Sequence, residues 1–393
     1  MTEWPLVRLG DIAADEKSAI SKPYGSAIVR DDYRDTGVPV VRGVNLARGR
    51  FYDDEFVFIS EDLADRMPGA RLQPGDLVFT HRGSVGQVSM IPRAPRFHRY
   101  TLSTSQVKAR LDPTRAIPEF YYYWFLSPAG RHSILQSIST VGVPGLARPV
   151  ETIKSLPVPL PPLKEQRRIA GALGALDDLI DVNIRVARRC TALWRAIVCQ
   201  ALADANDSAP LSELADFVNG RNFTEGASGR GRPVIRTPEV RRGPEAGTVR
   251  SEIEAADEHV ARQGDTLFVW SGSLTVGRWM WEEGLINQHV FKVLPKQRIP
   301  AWLVFALIEY QMPWFLNLAA DKATTMGHIK REHLGAVVPV PSPTDIERLG
   351  AIVEPLWDEA LQCGIAAQQL SRARSELLPS LLMGRVRVGD VAA

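Results

Sequence analysis

Cysteine is scarce. Only Cys190, Cys199 and Cys363 occur in 393 residues, with no Cys-x-x-Cys pair and no histidines at ligand spacing. This argues against a disulfide framework and against a zinc site. Long apolar runs are also missing: the most apolar stretch, 301–308, is broken by Glu309 and is too short to span a bilayer. The N-terminus, MTEWPLVRLGD, lacks a basic segment followed by an apolar one, so no secretory signal is expected. The chain therefore reads as cytoplasmic, without a membrane partner. Charge of one sign is missing too. Residues 1–155 carry 20 Lys and Arg against 17 Asp and Glu, and residues 207–340 carry 15 against 16. Neither segment has the strong basic excess of a sequence-independent DNA binder.

Catalytic signatures are equally thin. There is no Gly-x-x-x-x-Gly-Lys-Ser/Thr phosphate loop, no Asn/Asp-Pro-Pro-Tyr/Phe tetrapeptide and no Gly-x-Ser-x-Gly elbow. Gly83-Ser-Val-Gly86 has the wrong spacing for a methyl-donor loop and reads as a tight turn. No catalytic residue, cofactor or metal is expected.

What the chain does contain is a repeat with a period near 180–190 residues. Leu72–Phe79 answers to Val260–Phe268, Arg82–Gly86 to Ser273–Gly277, Pro39–Arg42 to Pro233–Arg236, and Pro118–Phe125 to Pro300–Leu307, in the same order. Each copy opens with short β-branched and aromatic runs between Gly, Pro and Asp, which predict strands joined by turns. Helices are expected at 118–126 and 301–310. The aromatic run Phe120–Phe125 could stack on bases, but its match to the apolar run at 302–307 favours a buried helix. Proline-rich hinges at 156–162 and 339–343 follow.

Beyond each hinge lies a long helical pattern. The apolar series Ile169, Leu173, Leu176, Ile180 continues to Ala201 and is matched by Leu349, Val353, Leu356, Leu370 and Leu377, with spacings alternating between four and three. A sustained 3.5-residue period predicts two coiled-coil helices, 163–203 and 344–381, pairing antiparallel. Asn183 falls in the seam as a register-fixing residue or a solvent-wet one. Arg374 is expected to reach past the seam to water. Pro355 should bend the second helix or mark its true start.

Pro161-Pro-Leu-Lys-Glu-Gln166 at the first hinge resembles the helix-opening motif of type I restriction–modification specificity (S) subunits. Its second copy, at 343–349, is degenerate. Trp4–Ile12, Gly75–Gly86 and Leu377–Val388 resemble the same family. The resemblance implies an α+β fold with two target-recognition domains in pseudo-two-fold arrangement, separated by two long antiparallel coiled-coil helices. The expected boundaries are 1–158, 159–206, 207–341 and 342–393. It also implies a non-catalytic subunit that reads a bipartite, asymmetric site in double-stranded DNA. Two methyltransferase subunits would dock on it, with restriction and motor subunits joining for cleavage. A stand-alone DNA-processing enzyme and a coiled-coil protein-bridging scaffold are the alternative readings.

Arginine, hydroxyl and amide side chains beside turn glycines suit contact with phosphates and base edges. In the first domain the expected DNA-binding residues are Arg42, Asn45, Arg48, Arg82, Ser84, Arg99, Ser103, Thr104, Gln106, Thr140 and Arg148. In the second they are Arg236, Arg241, Arg242, Ser271, Ser273, Lys322, Thr324, Thr325, His328 and Lys330.

Overall fold

A computed structural model describes residues 4–139, 144–296, 298–320 and 328–387. The chain forms two compact units, Met1–Asp178 with Ser371–Ala393 and Leu179–Leu370. Each unit contains two four-stranded sheets. Numbering the strands of these sheets in chain order, unit 1 holds β1 (Ile20–Ser21), β2 (Val38–Val41), β3 (Val57–Ile59), β4 (Arg71–Leu72), β5 (Leu77–Thr80), β6 (Val88–Met90), β7 (Tyr100–Leu102) and β8 (Gln106–Ala109). Unit 2 holds β9 (Ala215–Asn219), β10 (Arg232–Ile235), β11 (Arg250–Ser251), β12 (Val260–Ala261), β13 (Thr266–Val269), β14 (Thr275–Arg278), β15 (Gly284–Ile286) and β16 (Val290–Pro295). The sheet orders are β1-β8-β5-β6 and β3-β2-β7-β4 in unit 1, and β9-β16-β13-β14 and β11-β10-β15-β12 in unit 2. Each strand of unit 2 therefore holds the place of the strand eight earlier.

The equivalence reaches individual side chains. Alternate residues of a strand face opposite sides, so β5 serves two cores: Leu77 and Phe79 enter one and Val78 the other. In β13, Phe268 enters the larger core while Leu267 and Val269 enter the smaller. The Gly-Asp pair before each of these strands is a turn. Gly75 and Gly264 take φ of +87° and +96°, where a side chain would be strained. Asp76 then accepts the Gln73 N–H at 2.8 Å, and Asp265 accepts the Arg262 N–H at 2.7 Å. A buried lysine ties the two sheets of each unit: Lys108 Nζ donates to Arg71 O and Lys292 Nζ to Val260 O, both at 2.8 Å.

One block of the repeat is shifted from its expected match. Phe79 pairs with Val88 as Phe268 pairs with Val276, and Arg82 bridges Gly145 as Ser271 bridges His328. Arg82 thus corresponds to Ser271, not Ser273. The β13–β14 turn is one residue shorter, so the similar Val-Gly pairs fall out of register.

Four longer helices complete the units: α1 (Pro118–Leu126), α2 (Leu163–Ala203), α3 (Ala301–Ala320) and α4 (Pro343–Leu382). The aromatic run of α1 is buried throughout, from Phe120 to Phe125. The α3 helix runs on past its expected end, through Pro313 to Ala320, because Phe315 one turn beyond is fully buried. By length and composition α3 could cross a membrane, unlike the shorter run read from sequence. Its residues Trp302–Ile308 are instead buried in the core of unit 2.

In unit 1 the start of α2 and the end of α4 share one core, Ile169 and Leu173 lying with Leu381 and Leu382. In unit 2 the end of α2 and the start of α4 do the same, Trp194, Val198 and Leu202 lying with Leu349, Val353 and Trp357. Early residues of one helix meeting late residues of the other is the antiparallel arrangement. Ile180 is buried, while Leu176, Leu356, Leu370 and Leu377 are half-buried. Pro355 lies inside α4, whose true start is Pro343, capped by the Ser342 hydroxyl accepting the Asp345 N–H at 3.2 Å. Burial of Val353 and Trp357 on either side offsets the hydrogen bond that proline removes. Asn183 donates to Leu179 O of its own helix at 2.8 Å and fixes no cross-helix register. Arg374 does not run out to water; it pairs with Asp177, which also accepts from Arg50 at 3.2 Å and from the Tyr123 hydroxyl at 2.8 Å.

Candidate DNA interface

In unit 1 three turns converge on one cleft of about 590 Å³. They are the segment after β2, the β5–β6 turn and the β7–β8 turn. Parallel pairing of β2 with β7 brings the first and third together. The β5–β6 turn is held by His81, whose N–H donates to Ser105 O at 3.0 Å and whose Nε2 contacts Thr104 O at 3.0 Å. Burial holds the His81 imidazole below its usual value of 6.5, helped by the nearby cations Lys22 and Arg82. The ring is therefore neutral at pH 7 and serves as a brace.

Six of the expected residues line this cleft: Arg42, Arg82, Ser84, Ser103, Thr104 and Gln106. Arg82 and Ser84 are exposed on a turn bounded by Gly83 (φ +86°) and Gly86 (φ +91°). Tyr33, Thr80 and Gln87 also line it and were missed. The only signal for Gln87 was its place directly after a turn glycine. Its Oε1 accepts the Thr80 hydroxyl at 3.2 Å. A side chain at Gly43 would come within 3.3 Å of that same oxygen, so glycine there keeps the cleft floor open. Among the described residues, no carboxylate lines the cleft.

Other expected residues sit elsewhere. Asn45 is fully buried and spent on the fold, accepting the Arg42 N–H at 2.9 Å and donating to Tyr52 O and Asp54 O. Arg99 lies in ion pairs with Glu61 and Asp65. Arg148 is exposed at the start of a short helix, 149–155. The Arg48 side chain and Thr140 lie outside the described residues, as do Lys322, Thr324 and Thr325.

Unit 2 places Arg236 where unit 1 places Arg42. Its N–H bonds the side chain three residues on, Glu239, as Arg42 bonds Asn45. The difference is charge. Glu239 is buried and also accepts the Arg236 guanidinium at 3.1 Å. Arg242 pairs loosely with Glu245 at 3.9 Å and Lys330 pairs with Glu332 at 3.2 Å. Arg241, exposed, reaches Ser273 O at 3.5 Å. Ser271 bridges His328 beside Trp270. The cations of unit 2 are thus largely matched by carboxylates, whereas those of the unit 1 cleft are not.

Residues 1–186 match a family described as the type I restriction modification DNA specificity domain. This first part of the chain is thus similar to the DNA specificity domain of type I restriction–modification systems. The specificity subunit of the type I restriction enzyme EcoKI from Escherichia coli is 28% identical over 210 residues, 51% of this chain and 43% of that protein. The specificity subunit of MjaVIII from Methanocaldococcus jannaschii is 21% identical over 183 residues, 46% of this chain and 41% of that protein. These matches span less than half the length of either relative. The crystal structure of a type I restriction–modification S subunit from M. genitalium shares the fold over 97% of this chain and 96% of its own, at a TM-score of 0.61 and 15% identity. Within the matched residues the hinge glutamine has a physical role. Gln166 is fully buried, accepts the Ile117 N–H at 2.8 Å, and donates to Arg115 O at 3.0 Å and Pro161 O at 2.9 Å. It fastens the start of α2 to the turn that opens α1.

Proposed function

We propose that this chain is the non-catalytic DNA-recognition subunit of a cytoplasmic type I restriction–modification complex. Unit 1 reads one part of a bipartite, asymmetric target and unit 2 the other. Supporting this is one fold used twice, with identical sheet order but different side chains at equivalent turn positions, Arg82 against Ser271 and Asn45 against Glu239. A shared scaffold with divergent turns suits two different half-sites, since turns can vary without disturbing the strands. The exposed faces of α2 and α4 are the proposed seat of two methyltransferase subunits, with restriction and motor subunits joining the same assembly. Recognition without chemistry needs no cofactor or metal here. Methylome sequencing of cells with and without the gene tests this reading. A split motif whose methylation vanishes with the gene supports it; an unchanged methylome, or DNA cut or methylated by the purified chain alone, would overturn it.

A further inference from the structure

We infer that the half-site of unit 1 contains a guanine read by Arg82, with Arg42 and Gln87 as supporting donors; this rests on the function proposed above. Donors and acceptors decide which base fits. In the major groove guanine offers two acceptors, O6 and N7, whereas cytosine offers only a donor, best met by a carboxylate. Among the described residues, the cleft carries no carboxylate. Arg82 stands exposed with no acidic partner among the described residues, its five N–H donors unspent. The Arg42 Nε has no hydrogen-bond partner although it is shielded from solvent, and its one polar contact is Nη2 to Glu55 O at 3.2 Å. Gln87 has its oxygen engaged by Thr80, which leaves its amide N–H groups as the donors it can offer. Gln106 likewise has its oxygen taken by the Ser103 hydroxyl.

Unit 2 supplies the internal contrast. Arg236, the counterpart of Arg42, is clamped by buried Glu239 and has a structural task. Ser271, the counterpart of Arg82, can donate or accept. An arginine without a carboxylate partner at this turn position therefore belongs to unit 1. It is not a general property of the repeat.

The test is methylome sequencing of cells carrying the full chain with its native partners, as wild type, Arg82→Ala and Arg82→Lys. Lysine keeps the charge for a phosphate contact but loses the bidentate fork. Expected is a wild-type half-site with a fixed guanine whose discrimination drops about ten- to a hundred-fold in both variants. The other half-site should stay unchanged, which also shows that the variant folds and assembles. Relaxation at an A·T pair, or a uniform fall in methylation of an unrelaxed motif, would overturn the inference and make Arg82 a phosphate contact. Neither of those results touches the proposed function, which fails if deleting the gene leaves the methylome intact or if the purified chain alone cuts or methylates DNA.

Discussion

Asp177 gathers three polar partners inside unit 1. Its carboxylate, 15% exposed, meets Arg50, Arg374 and the Tyr123 hydroxyl. Burial and the neighbouring carboxylate both push the Tyr123 phenol upward, so it stays protonated and donating at any physiological pH. Asp177→Ala should strand two cations and a phenol, destabilising the protein by about 3 kcal/mol, with the partial exposure of the arginines keeping the cost from rising further. Asp177→Asn, which still accepts, should lose less, as chemical denaturation of the two variants would reveal. His81 gives a pH dependence of opposite origin. Its folded value lies below 6.5, so its contribution to stability is fully present above pH 6.5 and is lost as the pH falls below that. Denaturation midpoints measured from pH 7.5 down to 5.5 should fall more in wild type than in His81→Gln. An equal slope in both would remove His81 as the titrating group.

The hinge shows what one element does that its periodicity cannot announce. In the first copy, Gln166 satisfies one N–H and two carbonyls at the α2 entry. In the second copy the corresponding turn of α4 carries Ile346, packed against the core of unit 2, and Ser342 supplies the cap. The degenerate motif is thus a polar fastening replaced by an apolar one. Gln166→Ala should leave three backbone groups without these partners, one of them at a buried bond, and cost about 2 kcal/mol. Ile346→Val, a loss of one methylene, should cost about 1 kcal/mol. Thermal melts of both would check the ordering. The seam periodicity gave α2 its full span and α4 to within a residue at each end. It did not separate Leu173, fully buried, from Leu176, half-buried, because burial depends on which other elements cover the pair at each turn.

Across the whole molecule, the duplicated fold predicts two separable reading tasks. Substitutions confined to the unit 1 cleft should alter one half of a methylated motif and leave the other intact, and single-molecule methylation calling on native DNA would show this directly. A change that erased both halves at once would contradict it. Much of this organisation is written along the chain. The repeat, the hinges, the long seams and the absence of catalytic motifs are all local or periodic signals, and local propensity and spacing are what a sequence carries openly. The choice among the arginines was not legible there. Arg42 and Arg236 occupy the same position in the repeat, and both sit beside a turn. Only the folded chain shows Glu239 closing on one guanidinium while Asn45 leaves the other without a carboxylate partner. Likewise Asn45 and Arg374, read as a surface contact and a solvated end, became a buried brace and half of an ion pair. Whether a charge is spent inside the protein or left for a partner depends on residues distant in sequence, and proximity of that kind exists only after the chain has folded.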